Sequence, residues 1–282
     1  MHVVITGASG NLGGKLTAHL QTMSWCSAIT GIDPTPIASN GKFRAVAADL
    51  RDPMDRSWID PVEAADAVVH FAAQSPAPDS NWTEAAQSLD MTLNLLEHVG
   101  HKACRFVFAS SNHVMGGYKD EPLPQGETLT WDTPPRPGTR YFDGYEYRTP
   151  TAYGASKLMG ERAVAARCAA SALTGVNVRI GWVQPGENRP QTIDLRGAGR
   201  RIGPTLPDQQ EMDRGLAWFR GMWLSNRDFA ALMEKALTAP ADAWPSRAIL
   251  VNGMSRNTGT VWNLDNGRNW LGYEPADDIA AG

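Results

Sequence analysis

The chain has 282 residues, of which 42% are hydrophobic and 20% charged, so it can bury a core and is not disordered by composition. A net charge of −4 leaves no basic footprint for nucleic acid. Three scattered cysteines, Cys26, Cys104 and Cys168, form no CxxC pair, which argues against a disulfide framework and against a structural metal site. No apolar run reaches the roughly 18 residues of a membrane span, and the opening residues read as strand and turn rather than as a leader. The expectation is a soluble cytoplasmic protein with no metal, membrane or nucleic-acid partner. Homo-oligomerisation stays open.

In chain order, His2 to Thr6 is a short β-branched run and Gly7 to Gly10 a turn. Asn11 to Met23 carries Leu12, Leu16, Leu20 and Met23 at helical spacing. Strands follow at Ala28–Asp33, Phe43–Ala48 and Ala67–Phe71, then a long amphipathic helix at Trp82–Val99 and a fifth strand at Arg105–Ser110. Residues 119–150 hold six prolines and little periodicity. A helix resumes at Thr151–Ala170, with a strand at Val176–Gly181. Residues 184–217 are irregular and rich in Gly, Pro and Arg, and Asn226–Leu237 and Ala248–Asn252 supply a last helix and strand. Buried strands separated by helices imply an α/β fold, a Rossmann-type doubly wound parallel sheet. The expected division is 1–182 for dinucleotide binding and catalysis, and 183–282 for a small substrate-binding region that partly returns to the main sheet. Ligand contacts concentrate on loops, so both long irregular stretches are expected to border the pocket.

Gly7, Gly10 and Gly13 stand at GxxGxxG spacing between the first strand and the first helix. Gly7 permits the tight turn, Gly10 a close backbone approach, and Gly13 close packing of the helix. With Ser9, Asn11 and Leu12 they form a cradle in which helix N–H groups face a pyrophosphate. Asp33 ends the second strand about 20 residues on, where an acid bonds the ribose hydroxyls and repels a 2′-phosphate. NAD is therefore expected as cofactor. Asp49 and Leu50 would flank the adenine, and Phe71, Ala72 and Ala73 would let backbone approach the cofactor.

Tyr153 and Lys157 are four apart at the start of a helix, so phenol and ammonium share one face. A nearby ammonium favours the phenolate, and the tyrosine can then take a proton from a hydroxyl while hydride leaves the same carbon. Lys157 can also reach the nicotinamide ribose. Ser111 ends the fifth strand at the sheet's C-terminal edge, where it could bond the reacting oxygen. His113 reads equally as a pocket residue or a structural histidine.

The segments TGASGNLG, HFAA, SSN and YGASK together resemble an extended short-chain dehydrogenase/reductase of the epimerase/dehydratase type. Finer features resemble the uronate and aldose 1-dehydrogenase branch: Ala109 to Val114, the strand Val178-Arg179-Ile180-Gly181, Trp223 to Phe229, and Val251 to Ser255. The resemblance implies NAD-dependent oxidation of a cyclic sugar at C1 to its lactone. It implies Ser111, Tyr153 and Lys157 as catalytic residues and Ile180 beside the cofactor. It places Ser75, Ser111, Asn112 and His113 toward the sugar, with Arg189 as an approximate match to the branch's arginine. Trp182 stands where the branch has a small residue and offers a flat apolar face there, able to pack on a sugar ring or to fill core space. Arginines 189, 196, 200 and 201 follow the VRIG strand, where the branch grips an acid group, so an acidic sugar, a uronate or a sulfonated hexose, is expected. A nucleotide-sugar epimerase or dehydratase with tightly held NAD is the alternative on the same fold.

Overall fold

A computed structural model describes residues 1–35, 37–74, 79–100, 104–193 and 205–281. The first half alternates β1 (His2–Thr6), α1 (Asn11–Thr22), β2 (Ala28–Asp33), β3 (Phe43–Ala47), α2 (Arg56–Ala64), β4 (Ala67–His70), α3 (Trp82–His98) and β5 (Arg105–Ser111). A 3₁₀ stretch, Asn112–Lys119, leaves the end of β5. After it come a two-stranded antiparallel hairpin, β6 (Tyr141–Phe142) and β7 (Tyr147–Arg148), then α4 (Ala152–Ala169) and β8 (Thr174–Ile180). The chain finishes with α5 (Gln209–Gly221), α6 (Asn226–Thr238) and β9 (Ala248–Gly253).

Seven strands form one parallel sheet in the order β3-β2-β1-β4-β5-β8-β9. The strands are continuous apolar runs because both faces are covered. Along β1, Val3 and Ile5 pack into a cluster with Leu16 and Leu20 of α1 and Leu232 of α6. Val4 points the other way, into a cluster with Trp58, Leu95, Phe106 and Val164. That period of two is the pleat of the strand. The order reverses direction between β1 and β4, which opens a crevice at the C-terminal ends of the strands. β9 belongs to the last hundred residues and supplies the seventh strand.

Two helices depart from the expected elements. α2 is nine residues long, holds Pro61 and is started by the Asp55 carboxylate on the Ser57 N–H. α5 occupies residues expected to be irregular. Asp208 caps it by accepting from Glu211 N, and Trp218 and Phe219 are buried on it. The capping pair Asp208 and Glu211, three apart, was the sequence signal for this helix. A third cluster, with Val114, Met115, Trp218, Phe219, Trp223 and Trp262, joins α5 to the chain leaving β5. Among the described residues, no helix is long and apolar enough to cross a membrane.

Candidate active site

The glycine turn lies at the crevice. Gly7 has φ +68°, and a Cβ there would come within 2.8 Å of the Ala72 nitrogen. A Cβ on Gly13 would overlap the Gly7 carbonyl oxygen, so Gly13 closes the helix onto the turn itself rather than onto the sheet. Gly10 is different. A Cβ there would meet only the Gly7 oxygen, at 3.3 Å, and the residue is exposed. The protein's own packing therefore makes little demand on Gly10. It is also the N-cap of α1, without a side-chain cap, so the first turn's N–H groups are left to the crevice.

Around this turn is a cavity of about 560 Å³, lined among others by Gly7, Ser9, Gly10, Asn11, Leu12, Gly13, Asp33, Asp49, Leu50, Phe71, Ala72 and Ala73. The whole set expected to hold the dinucleotide's adenosine and pyrophosphate is thus brought together. Asp33 is buried, and its carboxylate accepts from Ser9 N at 3.1 Å and Thr35 N at 2.9 Å. Asp49 is held by the Arg51 guanidinium, whose hydrogen bonds keep its carboxyl below the usual carboxylate range. A negative residue at the end of β2, an uncapped helix terminus and an open face at Gly10 fit a dinucleotide.

A second cavity of about 400 Å³ shares Asn11, Leu12, Phe71 and Ala73 with the first. Ser111, Asn112, His113, Tyr153, Lys157, Ile180 and Trp182 line it. The structure adds residues that the sequence reading did not include: Asp79, Phe219 and Met222 also line this cavity. The latter two come from the end and C-cap of α5, just past the stretch expected to be irregular.

Ser111 ends β5, is buried and lines the same cavity as the Tyr153 phenol. Burial pushes the phenol's pKa up, and the Ser111 hydroxyl pulls it back. Lys157 is buried one turn further along α4, and desolvation lowers its ammonium to about 8. Its Nζ donates to the Ala109 carbonyl at 2.8 Å and lies 5.8 Å from the Tyr153 ring centre. The Lys157 ammonium is turned to the Ala109 carbonyl, and the side chain that pulls the phenol down is Ser111.

His113 presents an edge to the Tyr153 ring, 5.9 Å between centres, and its Nδ1 hydrogen-bonds Thr139 Oγ at 2.7 Å. Asn112 donates to the Ile180 carbonyl at 3.1 Å, while its buried Oδ1 has no partner in the protein. Trp182 stands against Phe219, ring centres 5.5 Å apart.

Arg189 is not brought to the cavity. Its side chain is 66% exposed and paired with Glu187. The cause is its neighbour. Asn188, at φ +54°, donates to the Leu224 carbonyl and accepts from Gln184 N, which pins the turn inward and throws Arg189 out. Ser75, Arg196, Arg200 and Arg201 lie outside the described residues.

Known proteins resemble this chain along nearly its whole length. The chain is 28% identical to the L-arabinose 1-dehydrogenase (NAD(P)(+)) of Haloferax volcanii, over 99% of this chain and 97% of that protein. It is 28% identical to a uronate dehydrogenase of Pseudomonas putida, over 98% of this chain and 84% of that one. Among solved structures, the glucuronic acid dehydrogenase of Chromohalobacter salexigens superposes with a TM-score of 0.73 at 25% identity, covering 99% of this chain and 86% of that chain. Residues 3–193 match the model of one family, and the chain accordingly belongs to the NAD dependent epimerase/dehydratase family.

Proposed function

We propose that the protein oxidises a cyclic sugar at C1 to its lactone with NAD, residues 1–182 holding the dinucleotide and 183–282 walling the sugar. The observation that carries this reading is the meeting of Ser111, Tyr153 and Lys157 in a cavity that shares Asn11, Leu12, Phe71 and Ala73 with the glycine-turn cavity. Relatives named L-arabinose 1-dehydrogenase and uronate dehydrogenase support the reaction class.

In this reading Ser111 orients the C1 hydroxyl, and Tyr153 accepts its proton as the C1 hydrogen leaves with its electron pair. Bound NAD supplies the hydride acceptor and a positive charge that favours the phenolate. Lys157 holds the end of β5 through Ala109 and stands ready for the nicotinamide ribose. Asn112 Oδ1, a buried acceptor without a protein partner, suits a sugar hydroxyl. Trp182 and Phe219 offer apolar faces to the ring.

Acidic sugars are the expected substrates through Arg196, Arg200 and Arg201, since Arg189 faces solvent. The test is NADH formation over paired sugars differing only at C6, such as glucuronate and glucose, with sulfonated hexoses added. Turnover of none of them, together with NAD retained through purification, would favour the epimerase or dehydratase alternative.

A further inference from the structure

Three successive residues of β5 face α4, and the helix residues they face are four apart. The Ala109 carbonyl accepts from Lys157 Nζ at 2.8 Å. Ser110 Oγ donates to Glu161 Oε1 at 2.5 Å. Ser111 lines the catalytic cavity with Tyr153. Tyr153, Lys157 and Glu161 lie at i, i+4 and i+8, one face of the helix. Strand and helix are thus laced by two hydrogen-bonded rungs, and Ser111 and Tyr153 are the next pair along.

The Ser110–Glu161 rung is the most heavily built. Arg179 of β8 grips Glu161 bidentately, Nε to Oε1 at 2.9 Å and Nη2 to Oε2 at 3.0 Å. The same guanidinium reaches Met115 Sδ at 3.0 Å, in the stretch that leaves β5. Ser110, Glu161 and Arg179 are 4%, 4% and 2% exposed. A carboxylate accepting two guanidinium bonds and a hydroxyl bond has a fixed plane, and a buried pair of this kind costs desolvation that an apolar pair would not. Neither Glu161 nor Arg179 lines the catalytic cavity.

We propose that Glu161 and Arg179 are positioning residues for the reaction assigned above: their ion pair, through Ser110, sets the height of α4 against β5 at which the Tyr153 hydroxyl meets Ser111. The inference rests on that assignment for its kinetic reading. Its geometric content stands without it. Slack in the Ser110 rung passes to Ser111, the next residue of the strand, and an ångström of misplacement at reacting groups costs up to about a hundredfold in rate.

Two variants test this. Ser110→Ala removes the rung and leaves the ion pair. Its kcat should fall about tenfold with an unchanged KM for NAD. The acid limb of its pH profile should move up, because the Ser111 hydroxyl is what offsets the upward push of burial on the phenol. The double variant Glu161→Leu/Arg179→Met removes both charges together, which buried pairs commonly tolerate in stability. It should fold and show the same kinetic loss. Either variant with wild-type kcat and an unmoved acid limb overturns the proposal, and if the double variant does not fold, Ser110→Ala decides alone. Should the wild type turn over no sugar, the functional assignment falls and crystal structures of wild type and Ser110→Ala decide the positioning: a Tyr153 Oη–Ser111 Oγ distance longer in the variant supports it, and an unchanged distance refutes it.

Discussion

The ammonium of Lys157 donates to the carbonyl oxygen of Ala109 at 2.8 Å, inside the sheet-to-helix junction and away from water. One carbonyl is a poor replacement for a hydration shell, so desolvation lowers the group to about 8 from its ordinary 10.5. The fold therefore disfavours the charged form. Below pH 8 it carries the full cost, and as pH rises toward 10.5 the native state sheds its proton first and stability is regained. Lys157→Met should raise stability at pH 7 by roughly 1–3 kcal/mol and flatten the rise between pH 8 and 10. Turnover should be lost in the same variant. Urea unfolding of both proteins at several pH values checks the sign; a variant less stable than wild type at pH 7 contradicts it.

Tyr153→Phe should lower kcat by roughly 10²- to 10⁴-fold, the share that positioned acid–base catalysis supplies. NAD binding, measured calorimetrically, should survive because the glycine-turn cavity is untouched. Near-normal turnover would remove the phenol from the mechanism.

The glycines of the turn should separate into two kinds. Gly13→Ala drives a methyl into the Gly7 carbonyl and should destabilise the protein by roughly 1–3 kcal/mol. Gly10→Ala meets only one atom at 3.3 Å, so its thermal stability should be close to wild type while NAD affinity drops about tenfold or more. Equal stability loss in both variants would mean that Gly10 serves the fold rather than the cofactor.

Asp33 should set the cofactor preference. Its buried carboxylate faces the dinucleotide cavity and would oppose a 2′-phosphate. Wild type should use NAD with a kcat/KM well above that for NADP, and Asp33→Ala should narrow the gap. Part of the loss will come from the Ser9 and Thr35 N–H groups that the carboxylate now satisfies. NADP reduced as efficiently as NAD by the wild type would remove the ribose role.

Arg189→Ala should leave the KM for every sugar unchanged, because the side chain is exposed and paired with Glu187. The preference between glucuronate and glucose should instead respond to replacement of Arg196, Arg200 or Arg201. A selective loss for glucuronate in Arg189→Ala would show that the turn at Asn188 rearranges when sugar binds.

Much of the scaffold is legible in the residues themselves. β1, the glycine turn and α1 follow from a β-branched run, three glycines and a leucine period, and the dinucleotide cradle is built from neighbours in sequence. Local chemistry is enough there, because the turn, the cap and the first strand are contacts between residues close along the chain. α2 escaped because it is short and contains Pro61, and α5 because its glycines and arginines mask an apolar face that only Asp208 and Glu211 announced.

The sequence by itself determined the alternation of strands and helices, the cofactor cradle and the candidate residues Ser111, Tyr153 and Lys157, since apolar runs, the glycine turn and the Tyr153–Lys157 spacing are each read along one element. Only the tertiary structure decided which way Lys157 points, that Arg189 leaves the cavity while Phe219 and Met222 enter it, and that Glu161 locks α4 to β5 and β8. These are contacts between elements, set by how helices seat on the sheet and where a buried charge finds its partner. Residue spacing along the chain carries no record of such distances.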